Sequence, residues 1–215
     1  MARGRFITLE GGEGAGKSTQ LRFLAETLAS HPTEVVQTRE PGGSTGAEAI
    51  RGLLVEGAED RWDPRAEALL HAAARRDHLM RTVFPALERG AWVLSDRFAD
   101  STLAYQGYGH GLDLRDIKGL HHFVCDGFQP DLTLILDLPV AAGLARAASR
   151  GGAEDRYERM GLAFHERLRE GFLAIAQDNP NRCVVLDARG DADSLRKRIE
   201  GVLIDRFPDL LALQP

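Results

Sequence analysis

Phe6-Ile7-Thr8-Leu9-Glu10-Gly11-Gly12-Glu13-Gly14-Ala15-Gly16-Lys17-Ser18-Thr19-Gln20-Leu21-Arg22-Phe23-Leu24 decides the fold. A short apolar run leads into Gly, four residues, Gly, Lys and Ser, and an amphipathic helical pattern follows at once. This is the P-loop pattern in the strand-before, helix-after context that the motif requires. The glycines let successive N–H groups turn inward on phosphate oxygens, and the following helix adds its positive end. Gly11, Gly12, Glu13, Gly14, Ala15, Gly16, Lys17, Ser18 and Thr19 are therefore expected to hold a nucleoside triphosphate. Lys17 would bridge its β- and γ-phosphates, and Ser18 would hold Mg²⁺. Composition agrees in one respect: the 27 basic residues are 24 Arg and only 3 Lys, one of them Lys17. A compact ammonium fits inside a phosphate cradle where a planar guanidinium does not.

Outward from the loop, apolar runs recur at Phe6 to Leu9, Val35-Val36, Trp92 to Leu94, Leu132 to Leu136 and Cys183 to Leu186. Helical patterns are expected at 17–29, 45–56, 65–88, 114–126, 140–149, 157–177 and 193–206. Strands alternating with helices imply a parallel sheet with right-handed crossovers, so the expected fold is a three-layer α/β/α P-loop domain with five parallel strands. Several runs end in an acidic residue (Glu10, Asp96, Asp137, Asp187). The ligand crevice of such a sheet lies there, although Asp137 and Asp187 also suit ordinary strand-ending turns.

The whole chain of 215 residues is enough for a single domain, 1–215, and Gly151-Gly152 between arginines marks a lid segment at about 146–160. No run of 18 apolar residues exists, and the first strand begins too early to leave room for a signal peptide, so a cytoplasmic location without membrane contact is expected. Cys125 and Cys183 have neither metal nor redox spacing and read as small buried hydrophobes. A net charge of −5 argues against a nucleic-acid partner.

A P-loop alone leaves several enzyme classes open. The Asn-Lys-x-Asp segment of a GTPase is missing, as is the acidic-pair strand of a motor ATPase. What the chain does have is Arg39-Glu40 after the second strand and Asp96-Arg97 after the third. Arginines beyond the P-loop suggest a second anion beside the triphosphate, because Arg grips phosphate bidentately. Phosphoryl transfer to a small acceptor is the class favoured.

Five segments in order, Gly11 to Ser18, Thr38-Arg39-Glu40-Pro41-Gly42-Gly43, Ala73-Ala74-Arg75-Arg76-Asp77-His78-Leu79, Asp96-Arg97-Phe98 and Ser101-Thr102-Leu103-Ala104-Tyr105-Gln106-Gly107, resemble the bacterial-type thymidylate kinase family. The similarity runs from about residue 5 to 206. It implies ATP, dTMP and Mg²⁺ as ligands and a homodimer as the assembly. It also implies that Arg97, with Arg51, contacts the acceptor phosphate, and that Glu40 and Asp96 join Ser18 as ligands of Mg²⁺, directly or through water. Glu13 is implied at the sugar 3′-hydroxyl. Arg75 maps to thymine O4, Gln106 to N3–H, Tyr105 to the face of the sugar and Thr102 to the base edge. Where the family has a stacking Phe this chain has His71, four residues before Arg75 on the same helix face. Arg156 aligns with the family's catalytic lid Arg, Arg150 is a second candidate, and Arg146 falls near the adenine or is simply exposed.

Overall fold

A computed structural model describes residues 3–29, 33–149 and 156–208. The elements in order are β1 (Phe6–Glu10), α1 (Lys17–Leu28), β2 (Val35–Arg39), α2 (Thr45–Val55), α3 (Pro64–His78), α4 (Phe84–Glu88), β3 (Trp92–Asp96), α5 (Ala99–Thr102), α6 (Leu114–Cys125), β4 (Leu132–Asp137), α7 (Val140–Ala148), α8 (Leu162–Asp178), β5 (Cys183–Asp187) and α9 (Ala192–Arg206). All strand pairings are parallel and the order is β2-β3-β1-β4-β5. The five expected strands are present.

β1 is central and buried along its whole length, as expected for a strand covered on both faces. Helices α1 and α9 close one face over Ile7, Leu9, Leu94, Leu134 and Leu186. The other face holds two clusters. Phe6, Val93 and Phe98 pack with Leu79, Val83 and Val124, while Ile135 packs with Tyr105, Phe164, Leu168 and Phe172. Cys125 and Cys183 are free and buried. The chain leaves β1 for the edge strand β2, returns to β3 and later crosses to β4. The carboxyl end of β1 thus lies where the winding reverses, which is where open α/β sheets bind ligands.

Two local departures from the sequence reading shape that crevice. The expected helix 65–88 is interrupted: α3 opens on Asp63, whose carboxylate accepts from the N–H groups of Arg65 and Ala66, with Pro64 in the first turn. It passes through a π-helical stretch, Leu79–Val83, before α4. Pro85 has no N–H to donate to Arg81, and the wider turn accommodates that loss. The segment after β3, given no helix from sequence, is helical too: α5 runs into a second π-helical stretch, Leu103–Gly109. The expected helix at 157 instead begins at Leu162, after turns over 156–159. Of the expected lid, 150–155, including Arg150, lies outside the described residues.

Candidate active site

The loop between β1 and α1 wraps Lys17, whose Nζ donates to the carbonyl oxygens of Gly11 (3.1 Å) and Gly12 (2.8 Å). Lys17 is 8% exposed. Burial and the nearby Arg97 push its pKa down to about 8, against the pull of Glu13, Asp96 and Glu10. Gly16 precedes α1 with φ 91°, a left-handed conformation that costs glycine little. A cleft at this end is lined by Glu13 to Ser18, Arg39, Glu40, Arg51, Asp96 and Arg97. Ser18 Oγ donates to Asp96 Oδ2 at 2.5 Å. A hydroxyl beside a carboxylate is a hard-oxygen donor set that suits Mg²⁺, an ion that keeps waters and phosphate oxygens as its other ligands. On the outer side of the loop, Gly14, Thr19, Gln20, Arg146, Ala188 and Gly190 border a further hollow, and Arg146 reaches the carbonyls of Ala188 and Gly190 at 3.4 Å each.

Arg97 is the hinge between this end and the next. Its backbone is left-handed (φ 74°), unusual for a side-chain-bearing residue and worth attention at a site. Two clamps hold it: Ser95 Oγ donates to the Arg97 carbonyl (2.7 Å), and Glu10 accepts from Phe98 N–H (2.7 Å) and Ser101 Oγ (2.6 Å). The guanidinium donates to Gly11 O (3.1 Å), Ser101 Oγ (3.1 Å) and Glu13 Oε1 (2.9 Å), and lies 5.0 Å from the centre of the Tyr105 ring. Burial would raise the Glu13 pKa, but Arg97, Lys17 and the Tyr105 hydroxyl outweigh it and bring it to about 2. Tyr105 donates to that same Oε1 (2.5 Å).

Past Arg97 a second cavity, of about 640 Å³ counting its open mouth, is lined by Glu13, Glu40, Pro41, Arg51, Val55, His71, Arg75, Arg97, Phe98, Ser101, Thr102, Tyr105, Gln106, Tyr157 and Glu158. Every residue expected at the acceptor is among them. Arg75 Nε donates to Glu40 Oε2 (2.8 Å), and one terminal nitrogen donates to Phe98 O (3.1 Å) and Thr102 Oγ1 (2.8 Å). Gln106 Nε2 donates to Glu67 Oε1 (2.6 Å), leaving its own Oε1 without a partner. His71 Nε2 lies 3.0 Å from the Tyr157 hydroxyl. Burial pushes the His71 pKa down to about 4, so the ring is neutral at pH 7. Arg51 donates to Pro41 O (2.7 Å).

Two residues sit differently from their expected roles. Glu40, expected at the metal, has both oxygens committed, Oε2 to Arg75 and Oε1 to His78 Nδ1 (3.0 Å). Both oxygens are thus engaged by side chains of α3, while the residue still lines the cleft that holds Ser18 and Asp96. Arg156, expected in a catalytic lid, is 0% exposed. It donates to the carbonyls of Leu54 (3.1 Å), Ala58 (3.0 Å) and Glu59 (2.9 Å), and pairs with Glu67 at 2.6 Å. A guanidinium with that many partners ties α2 and the loop after it to α3, away from the phosphate loop. Glu10, Glu67, His78 and Ser101 carry no assigned role in the sequence reading. Glu10 left a signal there as a strand-ending acid, and His78 and Ser101 fall inside two of the family-like segments; Glu67 left none. Asp187 accepts from the Arg189 N–H (2.9 Å), as a turn residue does, whereas Asp137 pairs with Arg169 of α8 (2.7 and 2.9 Å).

A parallel sheet whose central strand feeds a lysine-bearing glycine loop, with a guanidinium bridge to a second cavity, defines a P-loop phosphotransferase. A family model described as "Thymidylate kinase" matches residues 9–199. The thymidylate kinase of Caulobacter vibrioides is 57% identical over 96% of this chain and 99% of its own length, and that of Afipia carboxidovorans is 53% identical over 97% and 92%. The crystal structure of the thymidylate kinase of Ehrlichia chaffeensis superposes with a TM-score of 0.76 at 36% identity, covering 94% of this chain and 99% of that one. The chain belongs to the thymidylate kinase family.

Proposed function

We propose that this enzyme transfers the γ-phosphoryl group of ATP to dTMP, giving ADP and dTDP. The observation that carries the reading is the junction of two cavities at Arg97: one is walled by the phosphate loop, the other by Arg75 and Gln106, and both include Glu13, Glu40, Arg51 and Arg97. An acceptor phosphate is largely dianionic at neutral pH, so its oxygen needs no strong base. The obstacle is repulsion between two polyanions. Two unit charges about 4 Å apart repel by about 4 kcal/mol at an effective dielectric near 20, and several such pairs meet here. Lys17, Arg97 and Arg51 line the place where that charge converges, and fixed cations of this kind supply most of the catalysis in phosphoryl transfer. Mg²⁺ between Ser18 and Asp96 would add charge neutralisation. Arg150, outside the described residues, is the second candidate that the family resemblance offers for the lid role.

At the acceptor, Glu13 uses Oε1 for Arg97 and Tyr105, which leaves Oε2 to accept from the sugar 3′-hydroxyl. Arg75 keeps one terminal nitrogen for thymine O4, Gln106 Oε1 accepts from N3–H, and Thr102 holds Arg75 from the base edge. His71 packs on the ring as a neutral imidazole. Arg146 and Thr19 border the ATP side.

We also assign a homodimer acting in the cytoplasm. Exposed apolar side chains on α2 (Leu53), α3 (Leu69), the first π-helical stretch (Met80) and α6 (Phe123, 83% exposed) support a partner surface. Light scattering after gel filtration measures the mass directly, and a monomer at micromolar concentration contradicts the pairing. Among the described residues no helix is long and apolar enough to cross a membrane.

ADP release is the decisive assay for the reaction, with ATP, Mg²⁺ and each of dTMP, dUMP, dCMP, dGMP, UMP and AMP as acceptor. The expected result is a strong preference for dTMP. Preference for another monophosphate overturns the base reading, and acceptor-independent ATP hydrolysis overturns the reaction.

A further inference from the structure

Glu67 stands in the first turn of α3, where a carboxylate commonly serves the helix N-terminus. Here it is 0% exposed and turned to other work. Oε1 accepts from Gln106 Nε2 at 2.6 Å, Oε2 lies 2.6 Å from Arg156 Nη1, and His110 Nε2 stands 3.5 Å from Oε1. Burial would raise its pKa, but His110, His71, Arg156 and Gln106 outweigh burial and hold it at about 2, so the group is an anion at neutral pH.

An ionised carboxylate only accepts hydrogen bonds. Facing Glu67, the Gln106 side chain must therefore present its NH₂ group to it and its carbonyl oxygen the other way. That carbonyl oxygen is buried without a partner, on a residue that lines the acceptor cavity. Without a fixed acceptor beside it, a glutamine can turn its amide over and offer a donor where it had offered an acceptor. The difference matters for pyrimidines. Thymine and uracil carry a hydrogen on N3 and need an acceptor there; cytosine carries a lone pair and needs a donor.

We infer that Glu67 is a positioning residue for base choice: without touching the base, it locks the Gln106 amide in the one orientation that accepts from a 4-keto pyrimidine and repels a 4-amino pyrimidine. Arg156 completes the device by neutralising the buried carboxylate. The inference deepens the proposed reading of the acceptor site and rests on it. It also gives Arg156 a role in substrate selection through its pair with Glu67.

The test compares kcat/KM for dTMP and dCMP in the unaltered enzyme, Glu67→Gln and Gln106→Leu. In Glu67→Gln, residue 67 can donate as well as accept, so the Gln106 amide is free to turn. The dTMP/dCMP ratio is expected to fall on the order of tenfold to a hundredfold, the range set by one mismatched buried hydrogen bond. A role in folding alone lowers the melting temperature and both kcat/KM values together and leaves the ratio in place; that result overturns the inference. In Gln106→Leu the ratio is expected to fall to a similar level, and adding Glu67→Gln to it should change the ratio no further. Independent losses overturn the inference. Should Glu67→Gln fail to fold, Glu67→Asp withdraws the acceptor by one methylene while keeping the charge, and the same fall is expected; an unchanged ratio counts against the inference. An unaltered enzyme that discriminates, with variants that still discriminate, rejects Glu67 alone. An unaltered enzyme that uses dCMP as readily as dTMP rejects the base reading and the inference with it.

Discussion

The two ends of the crevice are built in opposite ways. The phosphate end is one continuous stretch, Gly11 to Ser18, in which the main chain supplies the cradle and Lys17 is steadied by carbonyl oxygens five and six residues away. The base end is assembled from side chains of α2, α3, the β2–α2 turn, the second π-helical stretch and the turns over 156–159. There three groups that line the cavity are each held by another side chain: Arg75 by Glu40, Gln106 by Glu67, His71 by Tyr157. A main-chain cradle binds any triphosphate of the right length. A set of oriented side chains discriminates, and its precision depends on residues that never touch the ligand.

The comparison is broken most severely at Lys17. Lys17→Ala should lower kcat by about a hundredfold to a thousandfold or more, the cost of removing one fixed charge-stabilising group, with dTMP binding largely retained. Steady-state kinetics together with dTMP titration measures both, and near-normal turnover would remove the loop from the mechanism.

Glu40→Ala attacks the other end. It strips Arg75 of its carboxylate and leaves a buried guanidinium unpaired, a class of change that costs about 3–5 kcal/mol of stability. A lower melting temperature is expected, with KM for dTMP raised about tenfold to a hundredfold and KM for ATP little changed. A shift in Mg²⁺ dependence instead would return Glu40 to the metal.

The phosphate end should also show a signature in pH. Lys17 in the free protein has a pKa of about 8, and a bound triphosphate favours the protonated form. Its contribution to ATP binding is therefore fully present below pH 8 and is lost as pH rises above it, by up to about tenfold per unit. Calorimetric titration between pH 7 and 9.5 should show this as weakening affinity with proton uptake. An affinity flat to pH 9.5 contradicts the low pKa.

The smallest expected effect sharpens the base end. His71→Phe exchanges a neutral imidazole for a larger apolar ring and gives up the contact with Tyr157. Affinity for dTMP should hold or improve by a few-fold, since the added apolar area offsets one net hydrogen bond. A loss beyond tenfold, read from the equilibrium constant for dTMP, would mean that the imidazole bonds the substrate.

The same contrast explains what could be read from sequence. The strands were legible because burial on both faces leaves uninterrupted apolar runs, and the phosphate loop because its chemistry depends on spacing. β2 was underestimated at its end, where Gln37, Thr38 and Arg39 continue an edge strand with polar residues. Ala99–Thr102 and Leu103–Gly109 were not recognised as helical, because two glycines and a π-helical turn hide the 3.6-residue period. The pairings of Glu67 and His78 are invisible in the sequence because their partners lie 39 and 38 residues away. The family resemblance implies phosphate chemistry for Arg156, and only packing shows it buried against Glu67. Residues that meet a ligand leave motifs. The residues that orient them leave only a charge on a helix.

One contact in the phosphate loop bears on how the sequence can drift. Gly14 and Gly143 face each other backbone to backbone: a methyl group built on Gly14 would lie 2.0 Å from the Gly143 carbonyl oxygen, and one on Gly143 would lie 2.4 Å from that of Glu13. Elsewhere in the interior one aliphatic residue can replace another and the neighbours readjust by changing rotamer. At this crossing of the loop and α7 there is no rotamer to change and no smaller residue to substitute. The spacing between the phosphate loop and α7 is thereby set by main chain against main chain, and passes through no side chain that a core substitution could alter.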